Sequence, residues 1–150
     1  MGKQMGARIE KFYPLLLGFL AGLAIFYATK TYGVSGNLKD IFSAVMNICG
    51  ITIGFLATVK TIILAFNDQN VIKQLKKTGS YRRIFNYFLS SIQWSFALLL
   101  LSAIGLSFDF STSSAWQPYF IGSWVFVLVT AFLSYYRAID IFSTILRSLD

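Results

Sequence analysis

Residues 41–66, IFSAVMNICGITIGFLATVKTIILAF, hold a single charge, Lys60, in 26 positions. Because a helix rises about 1.5 Å per residue, about 20 apolar residues cross the hydrocarbon core of a bilayer, and lipid obliges each crossing to satisfy its own backbone hydrogen bonds. The stretch therefore reads as a transmembrane helix with residues to spare. Three further apolar runs, near 13–29, 84–107 and 119–136, have the same character, and the polar stretches between runs reach only about 17 residues, at 67–83. The sequence predicts an all-α membrane protein: a single domain, 1–150, of four transmembrane helices at about 13–29, 41–66, 84–107 and 119–149.

Composition supports this and removes whole classes of function. Apolar residues make up 56% of the 150, charged residues 13% and aromatic residues 17%, with a mean hydropathy of +0.64; a soluble domain carries about 25% charged residues. No soluble catalytic domain fits between the spans. There is no His and one Cys, Cys49, inside an apolar run, which excludes a disulfide framework and a zinc or haem site built from several Cys and His. The six acidic residues are scattered along the chain, with no adjacent base for a nucleophile and no mid-span carboxylate of the kind proton-coupled transport uses. The expectation is a protein that is not an enzyme and has no cofactor and no metal. The first run, PLLLGFLAGLAIFYATK, opens at Pro14, a residue suited to a helix's first turn. Its aromatic, glycine-containing end has no A-x-A-like cleavage site, so it counts as a span and not a signal peptide.

Orientation follows from the cations, because positive charge is retained on the cytoplasmic side. Lys3, Arg8 and Lys11 precede the first span; Lys73, Lys76, Lys77, Arg82 and Arg83 separate the second and third; Arg137 and Arg147 come late in the chain. That places ten of thirteen on one side, against Lys30 and Lys39 on the other, with Lys60 inside a run. Both termini are expected in the cytoplasm (N-in, C-in). Aromatic girdles agree: Phe12, Tyr13, Tyr81, Tyr87, Tyr135 and Tyr136 fall at one interface, and Tyr27, Tyr32, Trp116, Tyr119 and Trp124 at the other. The outer loops, near 30–40 and 108–118, contain the turn-forming strings TYGVSGN and STSSAWQP and are too short for a ligand-binding domain.

Runs two and four exceed the bilayer's requirement, so helices two and four are expected to extend into the cytoplasm. Over 138–149, Ile139, Phe142, Ile145 and Leu146 recur at helical spacing, while Arg137, Asp140, Ser143 and Arg147 occupy other sides. After helix two, Asn67 and Asp68 would start a short helix, VIKQLKK, ended by Gly79.

The most specific pattern lies in helix two, where Ser43, Asn47, Gly50, Gly54, Ala57 and Thr61 follow at steps of 4, 3, 4, 3 and 4. All are small or polar and share one face. Gly50 and Gly54 form a G-x-x-x-G, as do Gly18 and Gly22 in helix one, and such pairs let helix backbones approach closely in lipid. Two uses fit: a packing face, of helix one against two or of helix two against its copy, or a pore lining with Asn47 toward water, which needs an oligomer. Lys60, the one cation inside a run, either extends its ammonium to the headgroups or pairs with Asp140, which lies at a similar depth on a helix of the same direction. Cations in 71–83 alternate with Val71, Ile72, Leu75 and Tyr81, a pattern for anionic headgroups or for an acidic cytoplasmic partner. Direct nucleic-acid binding is not expected, for want of a folded reading module. Ser91, Gln93, Trp94 and Ser95 read as interhelical hydrogen bonding, and Cys49 as a small packing residue.

The stretch GFLATVKTIILAFNDQNVIKQLKKTGSYRRIFNYFLSSIQWSFALLLLSAI, residues 54–104, resembles the centre of small four-helix membrane subunits of two-gene anti-phage defence systems, the KwaA-like subunits of Kiwa and the RexB-like subunits of Rex exclusion. The shared order is a long second helix, a basic link K-Q-L-K-K-T-G-S-Y, a third helix entered through aromatics, and a short outer loop. The resemblance implies a multi-pass protein of the bacterial inner (cytoplasmic) membrane that forms a homo-oligomer, a tetramer, and recruits a cytoplasmic DNA-binding partner as sensor and anchor. Its RexB-like side implies the alternative, an oligomeric ion-conducting pore that depolarises the membrane in abortive infection or in a holin-like way. Lys73, Lys76, Lys77, Arg82, Arg83, Arg137 and Arg147 would then contact the partner or lipid, and the stripe of helix two would serve self-assembly.

Overall fold

A computed structural model describes residues 2–33, 37–65, 80–108, 110 and 115–147. It contains four α-helices: α1 (Gly2–Tyr32), α2 (Leu38–Ala65), α3 (Ser80–Ser107) and α4 (Gln117–Arg147). Each holds a segment long and apolar enough to cross a bilayer: Tyr13–Tyr32, Leu38–Ile62, Phe85–Ser107 and Gln117–Asp140. α1 begins at Gly2 and α4 ends at Arg147, so both are longer than a bilayer crossing requires. The expected VIKQLKK helix, with Lys73, Lys76 and Lys77, lies outside the described residues.

Local chemistry sets the helix ends. Gly33 adopts φ +73°, and its N–H donates to the Thr29 carbonyl at 3.0 Å, a left-handed glycine cap that stops α1. Asn37 precedes α2 and donates its side-chain amide to the Asp40 carboxylate in the first turn. Pro118 stands in the first turn of α4, where a missing N–H leaves no bond unmade. The same argument predicts that Pro14 opens α1, and there it fails: α1 begins at Gly2 and passes through Pro14. Spans tolerate proline when neighbours compensate the lost bond. Here Pro14 is buried on the side of α4, with Thr130 Oγ1 3.5 Å from its carbonyl oxygen.

The helices form a row, α1–α4–α3–α2, in which neighbours are antiparallel. Among the described residues only α1 with α4, α4 with α3, and α3 with α2 bring their backbones close. The expected packing of helix one against helix two is overturned: they occupy opposite ends of the row. Between α3 and α4 the contacts are polar and directional, as helix association in lipid favours. Ser91 Oγ donates to the Ser134 carbonyl at 2.7 Å, and Trp124 Nε1 donates to Ser102 Oγ at 2.9 Å. Trp124, assigned from its position to an interfacial girdle, is therefore a core residue, 7% exposed. Gln93, expected to bond between helices, is exposed, whereas Ser91 and Ser95 are buried. Trp94 packs edge-on to Phe126.

Two apolar clusters close the structure. Near the short loops, Phe42, Cys49, Leu98, Trp124, Val127 and Ala131 pack together; toward the other end, Leu56 and Val59 meet Phe88 and Ala138. A cavity of about 60 Å³ beside Cys49, Thr52, Ser95 and Tyr135 lies among α2, α3 and α4. Around these clusters the surface is apolar: Leu16 is 63% exposed and Ile51 74%. Water would penalise such a surface and hydrocarbon does not.

Candidate functional site

Three surfaces carry the residues singled out by sequence. The first is the free face of α2, which ends the row. Ser43, Asn47, Gly50, Gly54, Ala57 and Thr61 are all exposed, and a Cβ added at Gly50 or Gly54 would meet nothing within 4 Å. The stripe points away from α3, the helix on which α2 packs, so it takes no part in packing among the described residues. Its Thr61 hydroxyl is occupied locally: Thr61 Oγ1 donates to the Ala57 carbonyl at 3.0 Å, and next to the stripe Thr58 Oγ1 donates to the Gly54 carbonyl at 2.9 Å. Such back-bonding lowers the cost of a hydroxyl in lipid. Asn47 has no such local solution available to its two-donor, two-acceptor amide. It lies well inside the span Leu38–Ile62, about 14 Å from its start at 1.5 Å per residue.

The second surface is the seam of α1 and α4. Here the other glycine pair is fully used. A Cβ at Gly22 would stand 2.8 Å from the Gly122 carbonyl oxygen and 3.0 Å from Phe126 Cβ; one at Gly18 would stand 2.9 Å from the Phe126 carbonyl oxygen and press on Thr130 Oγ1. Gly122 contributes from the α4 side, where a Cβ would come within 3.2 Å of the Gly22 carbonyl oxygen. Sequence reasoning missed Gly122 and Thr130 as the partners. The signal was present: small residues recur at four-residue steps as Thr130, Ser134 and Ala138, with Gly122 eight residues before Thr130.

The third surface is the end of the molecule where α1 and α3 start and α2 and α4 finish. Lys60, partly buried on α2, holds its ammonium 4.7 Å from the centroid of the Phe85 ring on α3. Arg137, partly buried on α4, lays its guanidinium over the Tyr87 ring of α3 at 4.0 Å. These aromatic seats were invisible in the sequence, since neither pair has a local spacing. Asp140, the suggested partner of Lys60, is exposed one turn beyond Arg137. Arg82 and Arg83 fall in the first turn of α3, and Arg147 is the last residue of α4. A double-mutant cycle of Lys60→Met and Asp140→Asn, read as stability in mixed micelles, measures the pair directly. A coupling of about 0.5–1 kcal/mol is expected if the two charges interact; zero coupling leaves Lys60 to its ring.

Comparison with protein-family models, curated proteins and solved structures gives no match for this chain.

Proposed function

We propose that this chain is a non-enzymatic, multi-pass subunit of the bacterial inner membrane that self-assembles through the free face of α2 and presents its basic end to a cytoplasmic partner. The observation that carries the proposal is the exposure of Asn47, Gly50 and Gly54 together on a helix at the end of the row. An amide in hydrocarbon lacks partners, and a glycine pair without a neighbour forfeits the close contact it permits. A second copy of α2 answers both needs, because an asparagine amide is self-complementary and two G-x-x-x-G faces fit each other. The likeness of residues 54–104 to anti-phage membrane subunits supports the further assignment: sensor and anchor of a defence complex, tetrameric, with a DNA-binding protein as the cytoplasmic partner. The cation distribution supports N-in, C-in, which puts Lys73, Lys76, Lys77, Arg82, Arg83 and Arg147 where such a partner would dock.

Energy transfer between differently labelled copies in vesicles tests the assembly. Transfer above the level of random encounter is expected, and Gly54→Leu is expected to abolish it, with Asn47→Leu weakening association by about 1 kcal/mol, roughly five-fold. A wild-type chain that stays monomeric in mild detergent and in bilayers overturns the proposal.

The exposed Asn47 also favours a second reading, in which the α2 faces surround an axis and conduct ions. Planar bilayers separate the two. Reproducible conductance altered by Asn47→Leu supports the pore; a silent bilayer containing assembled protein supports the scaffold.

A further inference from the structure

Midway along the helices, one cavity gathers hydroxyls that have found no partner. It measures about 60 Å³ and is lined by Cys49 and Thr52 of α2, Ser95 of α3 and Tyr135 of α4, with the half-exposed Ile48 and Phe132 at its rim. Ser95 lies 12 residues before Ser107, the nearer end of α3, which is about 18 Å at 1.5 Å per residue. It is 3% exposed. Its hydroxyl makes no hydrogen bond among the described residues, although Ser91, one turn earlier, donates to the Ser134 carbonyl of α4. Thr52 stands apart in the same way. Thr29, Thr31, Thr58, Thr61 and Thr130 each donate to the carbonyl four residues back, the local way for a helix to satisfy a hydroxyl in lipid. Thr52 does not, and neither it nor Tyr135 makes a hydrogen bond elsewhere among the described residues.

Three helices thus each bring one unpaired hydroxyl to the same cavity. Burying a hydroxyl without a partner is unfavourable, and an acyl chain entering past Ile48 and Phe132 would leave it so. Water removes the penalty: a molecule of about 30 Å³ in the liquid fits the volume, and a few polar partners are what hold a buried water. The helix with most to gain is α2. Among the described residues it makes no hydrogen bond to another helix, and its packing is apolar apart from Lys60 over the Phe85 ring.

We propose that this cavity is a water-binding site, in which Ser95 anchors a water molecule that also bonds the hydroxyls of Thr52 and Tyr135 and so ties α2 to α3 and α4. The proposal rests on packing within one chain and not on self-assembly, so the two fail separately.

Water-edited solid-state NMR tests it in vesicles of chain-deuterated lipid, with isotope-labelled serine and threonine. Magnetisation from water protons is expected to reach Ser95 about three-fold more strongly than Ser102, a serine as deeply buried whose hydroxyl Trp124 bonds directly. Ser95→Ala should lower the transfer to Thr52 roughly three-fold. Thr52→Val and Tyr135→Phe keep the shape and delete a hydroxyl, and each should lower the transfer to Ser95 roughly two-fold. Transfer to Ser95 no greater than to Ser102 overturns the proposal and leaves the cavity to an acyl chain, as does a folded Ser95→Ala variant in which transfer to Thr52 is undiminished. Circular dichroism of each variant separates lost water from lost fold, and the wild-type comparison of Ser95 with Ser102 decides the matter if a variant unfolds.

Discussion

Alanine at Gly22 is expected to destabilise the protein by about 1–3 kcal/mol, net of the gain in helix propensity, whereas alanine at Gly50 or Gly54 is expected to stabilise the isolated chain by up to about 1 kcal/mol. The four residues of the two G-x-x-x-G pairs look alike in the sequence, and their surroundings differ completely. At Gly22 the new methyl would stand 2.8 Å from a main-chain oxygen of α4, and at Gly18 it would stand 2.9 Å from another. A carbonyl in a helix cannot swing aside, so α1 must lift away from α4 along its length. Since the backbone of α1 comes close to no other helix among the described residues, lifting it removes the support that α4 gives it. At Gly50 and Gly54 the methyl enters open space, leaving only the propensity term. Unfolding from mixed micelles by increasing sodium dodecyl sulfate measures both signs in one series. The same Gly50→Ala and Gly54→Ala variants should weaken self-association while stabilising the chain, a divergence that a purely intrachain role would not produce. If Gly22→Ala behaves like Gly50→Ala, the α1–α4 seam described here is wrong.

Phe42→Ala should cost about 3 kcal/mol by the same assay. Phe42 is 1% exposed and is the point where three helices meet. Its ring fills the gap at Gly105 of α3, where a Cβ would stand 2.9 Å from it. It also packs edge-on to Trp124 of α4 at 5.0 Å between centroids and against Phe110 at 5.5 Å. In lipid, truncation forfeits little hydrophobic transfer energy, because the unfolded reference is already among hydrocarbon chains. What it does forfeit is dispersion contact and the edge-to-face ring geometry, and it leaves a hole. The loss should therefore be smaller for Phe42→Leu, about 1–2 kcal/mol, and should be accompanied by a blue or red shift in Trp124 emission. A Phe42→Ala protein of wild-type stability would show that α2 is held to the row by its other contacts alone.

The contrast between the two glycine pairs shows what could be read in advance. Asn47, Gly50 and Gly54 on one face of a helix are a local fact of 3.6-residue periodicity, and the stripe was recognisable before any fold was known. Whether that face looks at a neighbour in the same chain or away from it depends on which helices are adjacent, and adjacency in lipid is decided by shape. Trp124 makes the same point. Its position near a span's end is the pattern of an interfacial aromatic, yet Ser102 on α3 offers an acceptor at 2.9 Å, and the ring turns inward. Pro14 was misjudged because a proline that suits a first turn is also tolerated inside a span, and here it lies within α1. Lys60 stood out as the cation inside a run and Arg137 as one of the cations late in the chain, but the rings beneath them come from another helix.

The bilayer class, the four spans and the cationic asymmetry all follow from residue identity alone, because hydrocarbon imposes one requirement on every residue that enters it, whatever its neighbours. The order α1–α4–α3–α2 and the partner of each glycine depend on tertiary contact, because lipid surrounds all helix faces with an equally apolar solvent. Close packing and a few directed hydrogen bonds then choose among faces that composition leaves nearly equivalent.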